Sequence, residues 1–185
     1  MAKIDHMEQD ISHVLLTEEQ IQARIGELGR QLTEDYDGKQ VIAVCILKGA
    51  VRFFADVTKA MDCRLEMDFM SISSYGGGVK TSGIVRISKD VDTSLTGRHV
   101  LIIEDIMDSG LTLKHLTEML RSRQPASLKV ACLLDKPSRR ECDITPDYCG
   151  FIIPNEFVVG YGLDYDGMYR NLPYVGVLKP EVYQR

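Results

Sequence analysis

The chain has 185 residues, of which 44% are hydrophobic and 26% charged, the size and balance of one globular domain with a real core. Its net charge of −5 argues against bulk binding to nucleic acid, which needs a basic face, and the densest basic cluster, Lys136, Arg139 and Arg140, reads mostly as a solvated loop. No apolar run approaches the roughly 20 residues of a membrane span, and Met1 to Asp10 carries Asp5, Glu8 and Asp10 in place of a signal-peptide core, so no membrane contact and a cytoplasmic location are expected.

In chain order, Thr17-Glu18-Glu19-Gln20 reads as a capping box. Ile21, Ile25, Leu28 and Leu32 follow at helical spacing, and Tyr36-Asp37-Gly38 stops the helix. Val41 to Leu47 is apolar without alternation, as in a parallel strand covered on both faces, and ends at Lys48-Gly49. Val51, Phe54, Ala55 and Thr58 predict a second helix, and Leu65 to Ile72 a strand. Ser73 to Gly83 is glycine-rich, and Ile84 to Ile87 predicts a returning strand that would make this stretch a long hairpin arm. His99 to Ile103 is a second unbroken apolar strand, Thr112 to Arg123 a helix with Leu113, Leu116, Met119 and Leu120 on one face, and Leu128 to Leu134 a further strand. Phe151 to Ile153, Phe157 to Val159 and Tyr174 to Leu178 are short strand candidates. Strands alternating with helices imply an α/β fold with a largely parallel sheet flanked by helices, in one domain over residues 1–185. Ligands of such sheets bind at the carboxyl ends of the strands.

The five cysteines, Cys45, Cys63, Cys132, Cys142 and Cys149, show no CxxC spacing, and buried reduced thiols are expected. His6, His13, His99 and His115 show no zinc-site spacing.

Between the second apolar strand and its helix lies Glu104-Asp105-Ile106-Met107-Asp108-Ser109-Gly110-Leu111-Thr112. Backbone N–H groups at a helix start favour an anion, Gly110 permits close approach, and Ser109 and Thr112 add hydroxyls. The pattern is neither a Walker loop nor a dinucleotide fingerprint. Glu104, Asp105 and Asp108 would repel a phosphate unless they face ribose hydroxyls or a divalent cation. A ligand with a phosphate at one end and a ribose diol beside it fits the whole segment; helix capping with solvated carboxylates is the bland alternative.

Val100 to Thr112 resembles the phosphoribosyl-diphosphate motif of type I phosphoribosyltransferases, and the details match the hypoxanthine-guanine branch. Leu47-Lys48-Gly49 resembles its diphosphate loop, and Ser74-Tyr75-Gly76 the start of its mobile lid. Phe157 to Tyr165 resembles its purine-side segment, followed by Arg170-Asn171-Leu172-Pro173. One position departs from some members: Leu111 stands where they carry a basic residue, so no charged phosphate contact is carried over there.

The resemblance implies the family's fold with a small hood and a hairpin lid, and transfer of 5-phosphoribosyl to N9 of hypoxanthine or guanine. It implies Mg²⁺, with Asp164, Glu104 and Asp105 as candidate ligands, and a homodimer or homotetramer. It assigns Lys48, Gly49 and Arg170 to the diphosphate, and Glu104, Asp105, Asp108, Ser109, Gly110, Leu111 and Thr112 to the phosphoribosyl group. Lys136, Phe157, Val158 and Asp164 fall on the purine side, with Lys136 donating to the 6-oxo group and Phe157 stacking on the base. Asp108 becomes the candidate general base opposite purine N7, and Ser74-Tyr75 the lid that excludes water. In the family the peptide before the loop lysine can be cis. A phosphoribosyltransferase for xanthine, an RNA-binding regulator on the same fold and a phosphate-binding receiver domain stay open as alternatives.

Overall fold

The capping box forms as expected: the Thr17 hydroxyl accepts from the Gln20 N–H at 3.3 Å, and the Gln20 side chain accepts from the Thr17 N–H at 2.9 Å. The computed structural model describes residues 7–74 and 85–184. Its elements are β1 (Ile11–Leu16), α1 (Glu18–Asp35), β2 (Val41–Leu47), α2 (Val51–Ala60), β3 (Leu65–Ser74), β4 (Val85–Lys89), β5 (His99–Met107), α3 (Leu111–Arg121), β6 (Ser127–Asp135), β7 (Tyr148–Ile152), β8 (Val158–Val159), β9 (Val175–Leu178) and α4 (Pro180–Tyr183).

The central sheet runs in the order β4-β3-β2-β5-β6-β7, and only β4 pairs antiparallel. Its unbroken apolar strands are explained by cover on both faces. Ala43, Cys45, Leu101, Ile103, Ala131 and Leu133 face the layer of α1 and α2. Their alternate neighbours Ile42, Val44, Val100, Ile102, Val130 and Cys132 pack with Leu113, Leu116 and Leu120 of α3. Burying each Leu, Ile or Val contributes about 1.5–3 kcal/mol, so a one-residue slip would exchange the two faces and is strongly opposed. A three-stranded antiparallel sheet, β1-β9-β8, forms the hood.

Several boundaries differ from expectation. β5 does not stop at Ile103: it stays paired with β6 as far as Met107 opposite Asp135, so Glu104 to Met107 belong to the strand and the loop proper is Asp108 to Gly110. On α2 the buried face is Phe53, Phe54, Val57 and Thr58, while Val51 and Ala55 are exposed. Phe157 precedes β8 but is tied to β9, its carbonyl accepting from the Leu178 N–H at 2.9 Å. β1 and α4 have no counterpart in the predicted elements. Tyr75, the glycines at 76, 77, 78 and 83, and Ile84 lie outside the described residues. All five cysteines are free; Cys45 and Cys132 are buried, whereas Cys63, Cys142 and Cys149 are only half-buried. No described helix is long and apolar enough to cross a membrane.

Candidate active site

The carboxyl ends of β2, β5 and β6 carry Lys48-Gly49, Glu104 to Asp108, and Asp135-Lys136, and the structure brings them to one edge of the sheet. The Leu47-Lys48 peptide is cis, Lys48 is exposed and Gly49 buried. A side chain at Gly49 would run into the Asp105 carboxylate, and one at Gly162 (φ +104°) into the Gly49 carbonyl. Two glycines thus let three chain segments meet. Arg170 closes the third: one terminal nitrogen donates to the Gly162 carbonyl at 2.7 Å and the other lies 2.6 Å from Asp164 Oδ1. Asp164 Oδ2 accepts from the Gly167 N–H at 2.8 Å. Gly49, Glu104, Asp105, Thr112, Asp164 and Arg170 line the resulting cleft of about 260 Å³.

Beside it, a cleft of about 250 Å³ is lined by Glu104 to Gly110, Thr112 and Leu113. Gly110, at φ +83°, is the N-cap of α3 and no side chain caps the helix. The Ser109 hydroxyl accepts from the Leu111 N–H at 3.4 Å. Beyond the Leu111 N–H, the first N–H groups of α3 have no side-chain cap, an arrangement that favours an anion. Glu104 and Asp105 stand side by side above it. Burial, reinforced by the neighbouring Asp105 charge, lifts the Glu104 pKa well above the usual carboxylate range. Burial likewise raises Asp105 to about 6, opposed by N–H groups and Arg170 and assisted by Asp164. Such a pair resists carrying two charges without a cation or hydroxyl donors opposite it.

The third side is formed by Lys136 and Phe157. Lys136 is 7% exposed; its Nζ donates to the Glu156 carbonyl at 2.8 Å and its N–H to the Met107 carbonyl at 3.0 Å. Burial pulls its pKa down, the Asp108 and Glu156 charges oppose that, and Arg139 adds to it. Phe157 is 39% exposed. Its ring stacks on Tyr183 of α4 (centroids 4.6 Å apart, 18° between planes) and meets the Tyr165 ring edge-on at 5.7 Å. With one face covered by Tyr183, the uncovered remainder is available to another flat ring. Val158 is buried in β8. Asp164 lines the first cleft with Arg170, and Tyr165 links its segment to Phe157. Ser74 ends β3, and Tyr75 is not described.

The basic cluster is not mainly a solvated loop. Lys136 is buried, and the Arg140 side chain is only 14% exposed, paired with Asp135. Arg140 also donates to the Asp108 carbonyl at 2.7 Å, and the Glu141 N–H donates to the Ser109 carbonyl at 2.9 Å. This segment braces the anion loop from outside, a role that sequence reasoning missed. Its signal was Asp135, the last residue of an apolar strand, followed closely by arginine. A wider cavity of about 560 Å³, lined by Tyr36, Lys39, Asp62, Cys63 and Arg64 among others, opens at the amino ends of β2 and β3, away from these residues.

A parallel sheet with an anion loop after β5, a glycine-built loop after β2 and a hood above defines a phosphoribosyltransferase, and the chain belongs to the phosphoribosyl transferase domain family, which it matches over residues 14–166. It is 56% identical to the hypoxanthine-guanine phosphoribosyltransferase of Bacillus subtilis over 178 residues, 96% of this chain and 99% of that protein. A crystal structure of a hypoxanthine phosphoribosyltransferase from Staphylococcus aureus superposes with a TM-score of 0.95 at 54% identity, covering 99% of this chain and 100% of that one. The bifunctional protein TilS/HprT of Listeria monocytogenes is 53% identical over 97% of this chain, which spans only 28% of that longer protein. Within its family the chain falls among the hypoxanthine-guanine phosphoribosyltransferases, the purine-salvage branch.

Proposed function

We propose that this chain moves the 5-phosphoribosyl group of phosphoribosyl diphosphate to N9 of hypoxanthine or guanine, giving the nucleoside monophosphate and diphosphate. The observation that carries this reading is the juxtaposition of an uncapped helix start, a crowded carboxylate pair and a buried lysine along one sheet edge. The C–N bond forms as the bond to diphosphate breaks, through a sugar with cationic character. Gly49 and Arg170 hold the diphosphate, Lys48 adds charge at its rim, and Ser109, Gly110, Leu111 and Thr112 hold the 5′-phosphate. Glu104 and Asp105 accept from the ribose hydroxyls. Asp108 exchanges a proton with purine N7. Lys136 donates to the 6-oxo group, the exposed face of Phe157 stacks on the base, and the Val158 backbone reads its edge.

Enzymes of this family generally use Mg²⁺ with their phosphoribosyl donor. The residues fit that ion. Mg²⁺ keeps several waters and takes one or two carboxylates beside substrate phosphates. Among the described residues no three His, Cys, Asp or Glu side chains gather into a protein-only cage, while the crowded Glu104-Asp105 pair faces the cleft that Asp164 also lines. Asp164 would hold it beside the substrate's phosphates, with Glu104 and Asp105 reaching it directly or through water, and it would neutralise charge on the leaving diphosphate. The reading also includes an assembly of two or four copies, and a cytoplasmic location that suits five free cysteines.

Lys136→Ala tests the base side. A hydrogen bond from a charged donor is worth about 1.5–3 kcal/mol, so kcat/KM for hypoxanthine and guanine should fall roughly 10- to 100-fold, with KM for phosphoribosyl diphosphate little changed. Unchanged purine kinetics would remove Lys136 from the base site.

A further inference from the structure

The anion cleft has a charge deficit. It is lined by Glu104, Asp105 and Asp108 and, among the described residues, by no cationic side chain, yet the phosphate read into it carries about −1.5 to −2 charges. The helix start offsets only about half a unit. Two arginines reach the rim from the turn after β6, and they are not equivalent. Arg140 is committed to Asp135 and to the Asp108 carbonyl. It is also packed under Gly110, where an added Cβ would meet its Cδ at 3.0 Å. It belongs to the frame of the loop and cannot follow a ligand without dismantling it.

Arg139 ends the short helical turn Pro137–Arg139. Its side chain is 50% exposed and meets Asp108, itself 46% exposed, through a contact of Nε to Oδ1 at 3.2 Å. Nε makes that contact, and no hydrogen bond of the terminal nitrogens to Asp108 accompanies it among the described residues. Exposed ion pairs of this kind contribute about 0–1 kcal/mol, so exchanging the partner is easy. A phosphate offers more negative charge and several acceptor oxygens.

We infer that Arg139 is a phosphate-binding residue: it rests on Asp108 in the ligand-free chain and turns to the 5′-phosphate when a nucleotide enters. It thereby supplies the cation that the loop lacks, and the same movement frees the Asp108 carboxylate to face the purine. The inference rests on reading the loop as a 5′-phosphate site, and it makes occupation of that site a condition for a free base at position 108.

The test compares dissociation constants of GMP and guanosine, which differ only in the phosphate, for the wild type, Arg139→Ala and Arg139→Lys. Arg139→Ala should weaken GMP about tenfold and leave guanosine unchanged, and Arg139→Lys should recover most of the loss. GMP binding that is unchanged or tighter in Arg139→Ala, or an equal loss for both ligands, would overturn the assignment. Wild type that binds GMP no more tightly than guanosine would instead overturn the reading of the loop itself.

Discussion

Asp108→Asn is expected to lower kcat by about two to four orders of magnitude, the range contributed by a positioned general acid or base. Its KM for phosphoribosyl diphosphate should change little. The substitution keeps the size of the side chain and the contact to Arg139, and it removes the ability to take a proton. Asp108 is the first residue beyond β5, and its backbone is fixed from behind by Arg140, so the asparagine should occupy the same place. The proposed mechanism separates the two effects: it assigns binding to the loop amides and the clefts, and proton exchange to one carboxylate. Steady-state kinetics against both substrates check it. A kcat near that of the wild type would end the base assignment.

Gly162→Ala is expected to be among the most damaging of the glycine replacements. Its φ of +104° disfavours any side chain, and the added methyl would collide with the Gly49 carbonyl. Backbone strain and overpacking together should cost on the order of 2–5 kcal/mol, which at about 2–4 °C per kcal/mol lowers Tm by roughly 4–20 °C. KM for phosphoribosyl diphosphate should rise as well, because the Gly162 carbonyl holds Arg170 and Gly49 frames the same cleft. Gly38→Ala provides the comparison: φ is +68° there and no atom lies within 4 Å of an added Cβ. It should show the strain alone, with no change in KM. Equal losses in the two variants, by thermal melts and kinetics, would mean that contact between the segments contributes nothing.

The parts of the fold that were legible in the sequence are those whose physics is local or strongly periodic. The runs Val41 to Leu47 and His99 to Ile103 announced strands covered on both faces, and the two core layers account for both parities of each run. The cap at Thr17 and the stripe from Ile21 to Leu32 were equally local. β1 escaped because its strand character comes from pairing with β9, more than 150 residues away and irregular in register. The extension of β5 through Glu104 to Met107 escaped because carboxylates at a strand end look like loop until the β6 partner is known. The site followed the same division. That Lys48-Gly49, Glu104 to Asp108 and Asp135-Lys136 stand at strand ends was readable from the apolar runs that precede them. The bracing by Arg140, the collision that makes Gly162 obligatory and the stacking of Tyr183 on Phe157 depend on contacts between distant segments, for which one sequence carries no local signal.

Turnover is the most direct test of the proposed reaction. The purified chain should be given phosphoribosyl diphosphate and Mg²⁺ with hypoxanthine, guanine, xanthine or adenine, and diphosphate release followed. Release with hypoxanthine or guanine, none with adenine, and loss of the reaction on chelation of the metal is the predicted result. No release with any of the four bases would contradict it.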